Sequence, residues 1–555
     1  MDRIWLKSYP PGIAADIDPG QYKSLGELFE KAVAEFRERP AYYCMGKTLS
    51  FGEVDAMSKA VGAWLQSKGL AKGARVAIMM PNVLQYPVVL FGVLRAGYTV
   101  VNVNPLYTPR ELEHQLKDSG AEAIFIVENF ARTLQDVVAK TPVKHVVLTA
   151  LGDLLGLKGL LVNFVVRKVK KMVPVYSLPG ALQFNDVIAE GTNLPLKPVD
   201  VGHDDIAFLQ YTGGTTGVSK GAMLLHRNVI ANLLQSEAWT GQVLGDEMPV
   251  IITALPLYHI FSLTINALLY AKIGGLNILI TNPRDIPAFV KELGKHRYTT
   301  ITAVNTLFNA LLNHPDFAKL DFSHVKLCIG GGMAVQKAVA DRWKAVTGHV
   351  LLEGYGLTET SPSATMNPLN LTDYSGTIGL PIPSTLVAIR DDEGKDLPLG
   401  ETGEICISGP QVMAGYWQRP EETAQVIMKD GFLRTGDIGY MDERGFVRIV
   451  DRKKDMILVS GFNVFPNEVE QVVAMLPGVL ECAVIGVPDE HSGEVVKLFV
   501  VKKDPALTEA QIHEHCKKEL TNYKRPKHIE FRAELPKTNV GKILRRALRD
   551  EKVAA

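Results

Sequence analysis

The sequence predicts an α/β protein with a large N-terminal domain of α/β layers, a β-rich subdomain at its end, and a small α+β domain at the C-terminus. Three observations carry this reading. Residues 24–150 alternate helix-spaced segments with short, wholly apolar runs, the rhythm of buried parallel strands between helices. From Leu386 the texture changes to short β-rich segments separated by turns such as Asp391-Asp392-Glu393-Gly394. The compact charge cluster Asp451-Arg-Lys-Lys-Asp455 then closes that region and precedes about a hundred residues of mixed helix and strand. The resulting division is 1–450, with the β-rich part at about 385–450, then 451–455 as a boundary and 456–555.

In chain order, residues 25–36 have helical spacing, 75–80 read as a strand and 84–96 as a helix, with Pro87 tolerable only near its first turn. Residues 100–103 read as a strand, and a helix starts near Thr108 with Pro109 in its first turn. Residues 123–127 and 145–148 are further short strands. Residues 151–172 break the rhythm: Leu154, Leu155, Leu157, Leu160, Leu161, Phe164 and Val165 are followed by Arg167, Lys168, Lys170 and Lys171. Two readings fit, a core helix with a solvated basic end, or a segment lying in a membrane interface with its lysines near anionic headgroups.

Residues 205–226 hold the richest chemistry. A short apolar strand, 206–211, breaks into a loop in which Gly213, Gly214, Gly217 and Gly221 alternate with Thr212, Thr215, Thr216, Ser219 and Lys220. Glycines let backbone N–H groups converge on an anion, while hydroxyls and a lysine add donors and charge, so the loop suits a polyphosphate. It is not a P-loop, because Lys220 follows Ser219 and precedes Gly221. It does match the Gly-x-Ser-x-Gly elbow of α/β-hydrolases at Gly217, Ser219 and Gly221, so a serine hydrolase using Ser219 stands as an alternative. In that elbow the serine sits directly between strand and helix, whereas Thr212 to Thr216 intervene here.

Further on, residues 301–304 and 325–329 read as strands, the second running into Gly330, Gly331 and Gly332. Three glycines after a buried strand allow a flat ligand to approach the backbone closely, or make a simple tight turn. The segment Leu351-Leu-Glu-Gly-Tyr-Gly-Leu-Thr-Glu-Thr360 offers Glu359 as a Mg²⁺ ligand beside substrate phosphates. Asp437, in a Thr-Gly-Asp turn, could accept two ribose hydroxyls. Residues 466–475, 480–487, 494–501, 508–520 and 528–531 read helix, strand, strand, helix, strand, and Lys542 sits on a glycine-hinged loop before a last helix.

Composition bounds the function class. The 555 residues are 46% hydrophobic and 22% charged, with 60 basic and 60 acidic residues, so bulk electrostatics do not point to nucleic acid. The basic C-terminal region could bind nucleic acid, but a small polyanion such as a nucleotide or coenzyme A is as good a partner. Five scattered cysteines without CxxC spacing fit a reducing, cytoplasmic setting, and the N-terminus has no apolar core resembling a secretory signal. The most apolar stretch, 251–280, carries His259, Asn266 and Lys272 and is read as a buried helix and strand, not a membrane span.

Taken together, the 212–220 loop, Tyr355-Gly-Leu-Thr-Glu-Thr360, Thr435-Gly-Asp437, Arg452 and Lys542 resemble, in order and spacing, the acyl-adenylate-forming superfamily of acyl-CoA synthetases, luciferases and peptide-synthetase adenylation domains. The resemblance runs from about residue 25 to 550. Within it, residues 430–470 look like the signature of bacterial long-chain fatty-acid–CoA ligases. The resemblance implies a mobile C-terminal domain and a two-step reaction: fatty acid and Mg·ATP give acyl-AMP and pyrophosphate, then the CoA thiol displaces AMP. It also implies roles. Thr212, Gly213, Gly214, Thr215, Thr216, Gly217 and Lys220 would hold phosphates, with Thr216 joining Glu359 at Mg²⁺ and Thr212 close to the reacting groups. Gly330, Gly331, Gly332 and Tyr355 would flank adenine, with Gly356 and Thr358 among the nucleotide contacts. Asp437 and Arg452 would hold the ribose, His259 would sit by the carboxylate, and Lys542 would serve adenylation. Lys454 matches the hinge, and Gly461 and Phe462 would line the pantetheine path. The same resemblance leaves medium-chain or aryl acids open as substrates, admits a homodimer, and places the enzyme in the cytoplasm or peripherally on the inner membrane.

Overall fold

A computed structural model describes residues 2–212, 219–245, 247–489, 491–538 and 541–551. The first 450 residues build two α/β sheets and an antiparallel one. One seven-stranded sheet runs Leu182–Gln183, His145–Thr149, Ala123–Val127, Arg75–Met79, Thr99–Asn102, Ile206–Thr212, Lys220–Leu225, parallel throughout except for its last pair. The strands Ala123–Val127 and Thr99–Asn102 are buried along their whole length, as continuous apolar runs between helices require. A nine-stranded sheet runs Leu380–Pro381, Ser363–Met366, Leu351–Gly356, Leu327–Gly330, Thr300–Ala303, Val250–Thr253, Leu276–Leu279, Pro40–Cys44, Lys47–Ser50, parallel at its centre and antiparallel at both ends.

The helices start where the sequence places them. Leu25–Phe36 begins after Ser24, whose hydroxyl accepts from the Glu27 N–H, and Pro109–Ser119 begins with a capping box between Thr108 and Glu111. Leu84 precedes the helix Gln85–Arg95, so Pro87 falls in its first turn, where no intrahelical donor is lost. The apolar 251–280 region is a strand, a π-helix Ser262–Leu268, a short helix Leu269–Lys272 and a second strand, almost wholly buried. Among the described residues, no helix is long and apolar enough to cross a membrane.

The antiparallel sheet joins Leu386–Arg390, Gly403–Ser408, Leu433–Met441 and Val447–Arg452. Beyond it, Ile457–Val459, Phe462–Val464, Val479–Asp489, Gly493–Lys502 and His528–Arg532 form a separate five-stranded sheet flanked by the helices Pro466–Ala474 and Glu509–Glu519. This C-terminal unit has two apolar clusters of its own, drawn only from residues after Met456, and none of the apolar clusters spans the seam to the larger part. What crosses the seam is polar. Asp451, fully buried at the end of its strand, accepts the Asn467 N–H at 2.8 Å and lies 3.8 Å from the Arg545 guanidinium. Thr306 donates to the Gly541 carbonyl at 2.9 Å, and Asn309 to the Leu480 carbonyl at 3.0 Å.

One alternative and one expectation are overturned. Ser219 is followed by the strand Lys220–Leu225, which pairs antiparallel with Ile206–Thr212, so the strand-to-helix turn of a hydrolase elbow is not found at this serine. The core-helix reading of residues 151–172 also fails. The helix Leu157–Phe164 buries only Gly159, and its leucines face outward.

Candidate active site

The C-terminal ends of the central strands of the nine-stranded sheet, the paired strand ends at Thr212 and Lys220 and the antiparallel sheet converge on one cleft of about 1320 Å³, roofed by the C-terminal unit. Open parallel sheets leave such a crevice beyond their carboxyl ends because the chain turns away into helices there. Thr212, Lys220, His259, Gly331, Gly332, Tyr355, Gly356, Thr358, Glu359, Asp437, Arg452, Lys454 and Lys542 all line it. Residues from six separate parts of the sequence are thus brought together.

On the phosphate-loop side, Thr212 and Lys220 face each other across the hairpin. Lys220 pairs with Glu422, and its ammonium stands over the Tyr416 ring, 5.2 Å from the centroid. The Tyr416 hydroxyl donates to Glu359 Oε1 at 2.6 Å. A single chain of charge-assisted contacts therefore links the lysine to the carboxylate. Tyr416 reaches this position because residues 414–417 run along the hairpin edge, Met223 donating to Gly415 and Trp417 to Gly221, both at 2.8 Å. Gly213, Gly214, Thr215, Thr216 and Gly217 lie outside the described residues.

Ser219 does not have the setting of a nucleophile. Its hydroxyl donates to the Thr212 carbonyl at 2.6 Å, and His114 Nε2 contacts its backbone oxygen, not its side chain. A hydrolase elbow places serine on a sharp turn from strand to helix with a base at hydrogen-bond distance. Here the residue ties the neck of a hairpin.

On the opposite wall, Asp437 is buried and faces Arg452 in register across two antiparallel strands, Arg452 Nε lying 3.3 Å from its carboxylate. The Tyr355 hydroxyl donates to the other oxygen of Asp437 at 2.7 Å. Burial and that carboxylate push the tyrosine pKa well above its usual value, so Tyr355 stays a proton donor. The glycine triplet differs position by position. Gly331 and Gly332 line the cleft, whereas a side chain on Gly330 would point into Val335, 2.5 Å away, so Gly330 serves packing behind the wall. At Gly331 an added Cβ would meet the Phe261 ring at 2.8 Å, which keeps the backbone bare on the cleft side.

His259 is held by a buried polar lattice. Gln210 donates to the Tyr258 carbonyl at 2.7 Å, Asn102 donates to Gln210, and Tyr86 bridges Asn102 and the Leu257 carbonyl at 2.7 and 2.8 Å. Burial, with the Lys542 charge adding to it, drops the His259 pKa to about 4. The Phe261 N–H donates to His259 Nδ1 at 3.4 Å, so the neutral ring presents its Nε2–H as a donor. Lys542 enters from the C-terminal unit on a turn in which its backbone N–H and C=O both bond Thr538. Burial, reinforced by Arg452 and opposed by Asp437, brings its pKa down to about 7. Lys454 is held down to about 8, by burial first and Arg452 second. Burial first, and the Arg452 charge second, thus lower the pKa of both cleft lysines.

Residues 29–417 match the family model described as AMP-binding enzyme, and residues 468–542 match the AMP-binding enzyme C-terminal domain. The chain belongs to the AMP-binding enzyme family. It is 60% identical to a long-chain-fatty-acid–CoA ligase of Yersinia pestis, covering 100% of this chain and 99% of that one. It is 38% identical to a long-chain-fatty-acid–CoA ligase of Bacillus subtilis, covering 99% and 98%. Among solved structures, an anthranilate CoA ligase in complex with anthranoyl-AMP superposes with a TM-score of 0.86 at 27% identity, over 97% of this chain and 99% of that one. ATP-bound MatB from Rhodopseudomonas palustris gives 0.80 at 30% identity, over 95% and 98%.

Within this AMP-binding enzyme, the structure keeps two expected residues away from the cleft. Gly461, at φ +84°, makes the turn of the hairpin between Ile457–Val459 and Phe462–Val464, and Phe462 stacks on Tyr523 at 4.7 Å on the outside of the C-terminal unit. Other cleft residues went unread in the sequence. Tyr416 was detectable only as an aromatic pair with Trp417; Thr306 and Asn309 carry no motif. Glu353, one residue before Gly354, is buried and accepts the Val335 N–H at 3.0 Å, and burial raises its pKa to about 8. Its carboxyl holds the end of the glycine-triplet loop. The cleft also has an apolar arm with Trp239, Ile265, Leu269, Met366, Ile378 and Ile382 on its walls. These come from four distant segments, and none is conspicuous where it stands in the chain.

Proposed function

We propose that this chain is a long-chain fatty-acid–CoA ligase: fatty acid, ATP and CoA give acyl-CoA, AMP and pyrophosphate through an acyl-AMP intermediate. The observation that carries this reading is the meeting, in one cleft, of lysines and hydroxyls with an apolar wall of Trp239, Ile265, Leu269, Met366, Ile378 and Ile382. The names borne by full-length relatives at 38–60% identity point the same way.

A carboxylate is a poor acyl donor, since its leaving group would be oxide, and adenylation replaces that with AMP. The attack brings one anion onto the α-phosphorus of another, so charge neutralisation dominates the barrier. Lys542, Lys220 and the glycine-rich loop, with Thr212 at its start, supply that charge and donation. His259, as a neutral donor, orients the carboxylate without a full charge that would trap it. Asp437 and Arg452 take the ribose, and Tyr355, Gly331 and Gly332 the adenine face, with Gly356 and Thr358 beside them. A Mg²⁺ ion fits the donor set: Glu359 gives one carboxylate, and among the described residues no cluster of three or more ligands forms a closed site. Mg²⁺ favours one or two carboxylates plus substrate phosphates. When bound by Glu359, with Thr216 as a second ligand, it would add positive charge at the departing pyrophosphate.

Residues 1–450 and 456–555 act as two domains, with 451–455 and Lys454 as the hinge. Lys542 fills the position a thiol must approach, so the second half-reaction requires the small domain to turn and bring Gly461 and Phe462 to the pantetheine path. The decisive assay is pyrophosphate release with ATP across short- to long-chain fatty acids and 4-coumarate, with and without CoA. Release should rise with chain length, and acyl-CoA should form only when CoA is present. Lys542→Ala should lose about 10²- to 10³-fold in adenylation, while thioester formation from supplied acyl-AMP is largely spared. Preference for 4-coumarate, or equal loss of both half-reactions, would overturn the reading.

A further inference from the structure

The segment that follows the strand His145–Thr149 inverts the usual plan of a surface helix. Ordinarily the apolar stripe faces the core and the polar face meets water. In the helix Leu157–Phe164 and the π-turn Val165–Val169 the exposed side chains are Leu157 at 89%, Leu160 at 71%, Leu161 at 63%, Phe164 at 57% and Val169 at 65%. Apart from Val162, which packs against the main apolar core, and the buried Val166, what fastens the segment to the body is polar. Arg167 donates to both oxygens of the buried Glu128 carboxylate, at 2.8 and 2.9 Å, and Asn163 accepts the Gly152 N–H at 2.7 Å. Lys158 donates to the Met45 carbonyl at 2.6 Å, and Asn129 to the Met172 carbonyl at 3.2 Å. Gly152 and Gly159 touch so closely that a Cβ on Gly159 would lie 1.9 Å from the Gly152 oxygen.

The apolar face is therefore held outward by a fixed mount. Beside it stand Lys168, Lys170 and Lys171, all exposed; of the basic residues 167–171, only Arg167 forms an ion pair among the described residues. An apolar face edged by uncompensated lysines matches the boundary between acyl chains and anionic headgroups. A second copy of this chain fits less well, because a two-fold contact would set the same lysine cluster against its own image.

We propose that residues 157–172 are a docking surface for an anionic lipid bilayer, inserting the leucine–phenylalanine face and placing the three lysines at the headgroups. The inference stands apart from the ligase reading, since it uses none of the cleft residues.

The test is flotation of the full-length protein with vesicles of phosphatidylcholine containing about 30% phosphatidylglycerol, against pure phosphatidylcholine. Wild-type protein should float with the anionic vesicles, far less with the neutral ones, and less again at raised salt. The triple variant Lys168→Glu, Lys170→Glu, Lys171→Glu should lose about 10²-fold in partitioning, at about fivefold per lysine. The quadruple variant Leu157→Ser, Leu160→Ser, Leu161→Ser, Phe164→Ser should lose at least as much, with an unchanged melting temperature and unchanged pyrophosphate release on a water-soluble acid. Flotation that is absent in wild type, or as strong in both variants as in wild type, overturns the proposal. So does a change in sedimentation velocity in the quadruple variant without loss of flotation, which would assign the face to self-association.

Discussion

If Lys542 meets the nucleotide phosphates as proposed, ATP binding is a proton-linked event, and the size of the effect follows from its surroundings. With its pKa brought from the ordinary 10.5 to about 7 by burial and by Arg452, the free enzyme holds this lysine largely neutral above pH 8. A bound polyphosphate favours the ammonium and raises that pKa again, so ATP binding between the two values takes up a proton. Affinity for ATP should then fall as pH rises, by about eightfold between pH 7.5 and 8.5 for a free-enzyme pKa near 7. Lys454, held near 8, also faces the cleft and adds a smaller dependence of the same sign; His259, near 4, does not titrate in this window. The sign for folding is opposite in direction: the unfolded chain binds the extra proton between pH 7 and 10.5, so the Lys542 contribution to stability rises with pH across that range. Calorimetric titration of ATP into the enzyme without fatty acid, in two buffers of different ionisation enthalpy, measures the proton directly. Wild type should take up close to one proton at pH 8, Lys454→Met slightly less, and Lys542→Met almost none. Equal uptake in wild type and Lys542→Met would refute the assigned electrostatics.

The cleft yields two simpler tests. Ser219→Ala should cost less than about tenfold in pyrophosphate release, the scale of one neutral hydrogen bond, because its hydroxyl only ties the hairpin neck; complete loss of activity would restore a nucleophilic role. Gly331→Ala should raise the KM for ATP by about tenfold or more, one to two kcal/mol of displaced packing, with little change in melting temperature, since its Cβ must displace the Phe261 ring; an unchanged KM would remove this backbone from the nucleotide wall.

The layered α/β order was legible because buried parallel strands are continuous apolar runs and their helices carry caps, as at Thr108 with Pro109. Residues that line the cleft were legible wherever unusual chemistry is compressed into a few positions: Lys220, the segment around Tyr355 and Glu359, Asp437, and Lys542. Two kinds of feature were not. The strand Lys220–Leu225 begins with a lysine and glycine that read as loop, and only its pairing with Ile206–Thr212 makes it a strand. Apolar side chains gave no sign of their destination. Ile265 in a wall of the cleft and Leu160 on the open surface look alike in sequence, because a side chain's periodicity reports which face it shares and not what that face meets.

The seam between the large and small parts is built from polar contacts, and that sets how freely it can open. No apolar cluster bridges it, so parting the two bodies wets little greasy surface and lacks the hydrophobic penalty that makes most domain contacts adhesive. The Thr306 and Asn309 bonds can be handed to water one at a time at little net cost. Asp451 is the exception: a buried carboxylate cannot be left bare, so any rotation must carry a donor with it or admit solvent to that point. On the proposed domain rotation, the joint would behave as a water-lubricated bearing pinned at the buried Asp451 carboxylate.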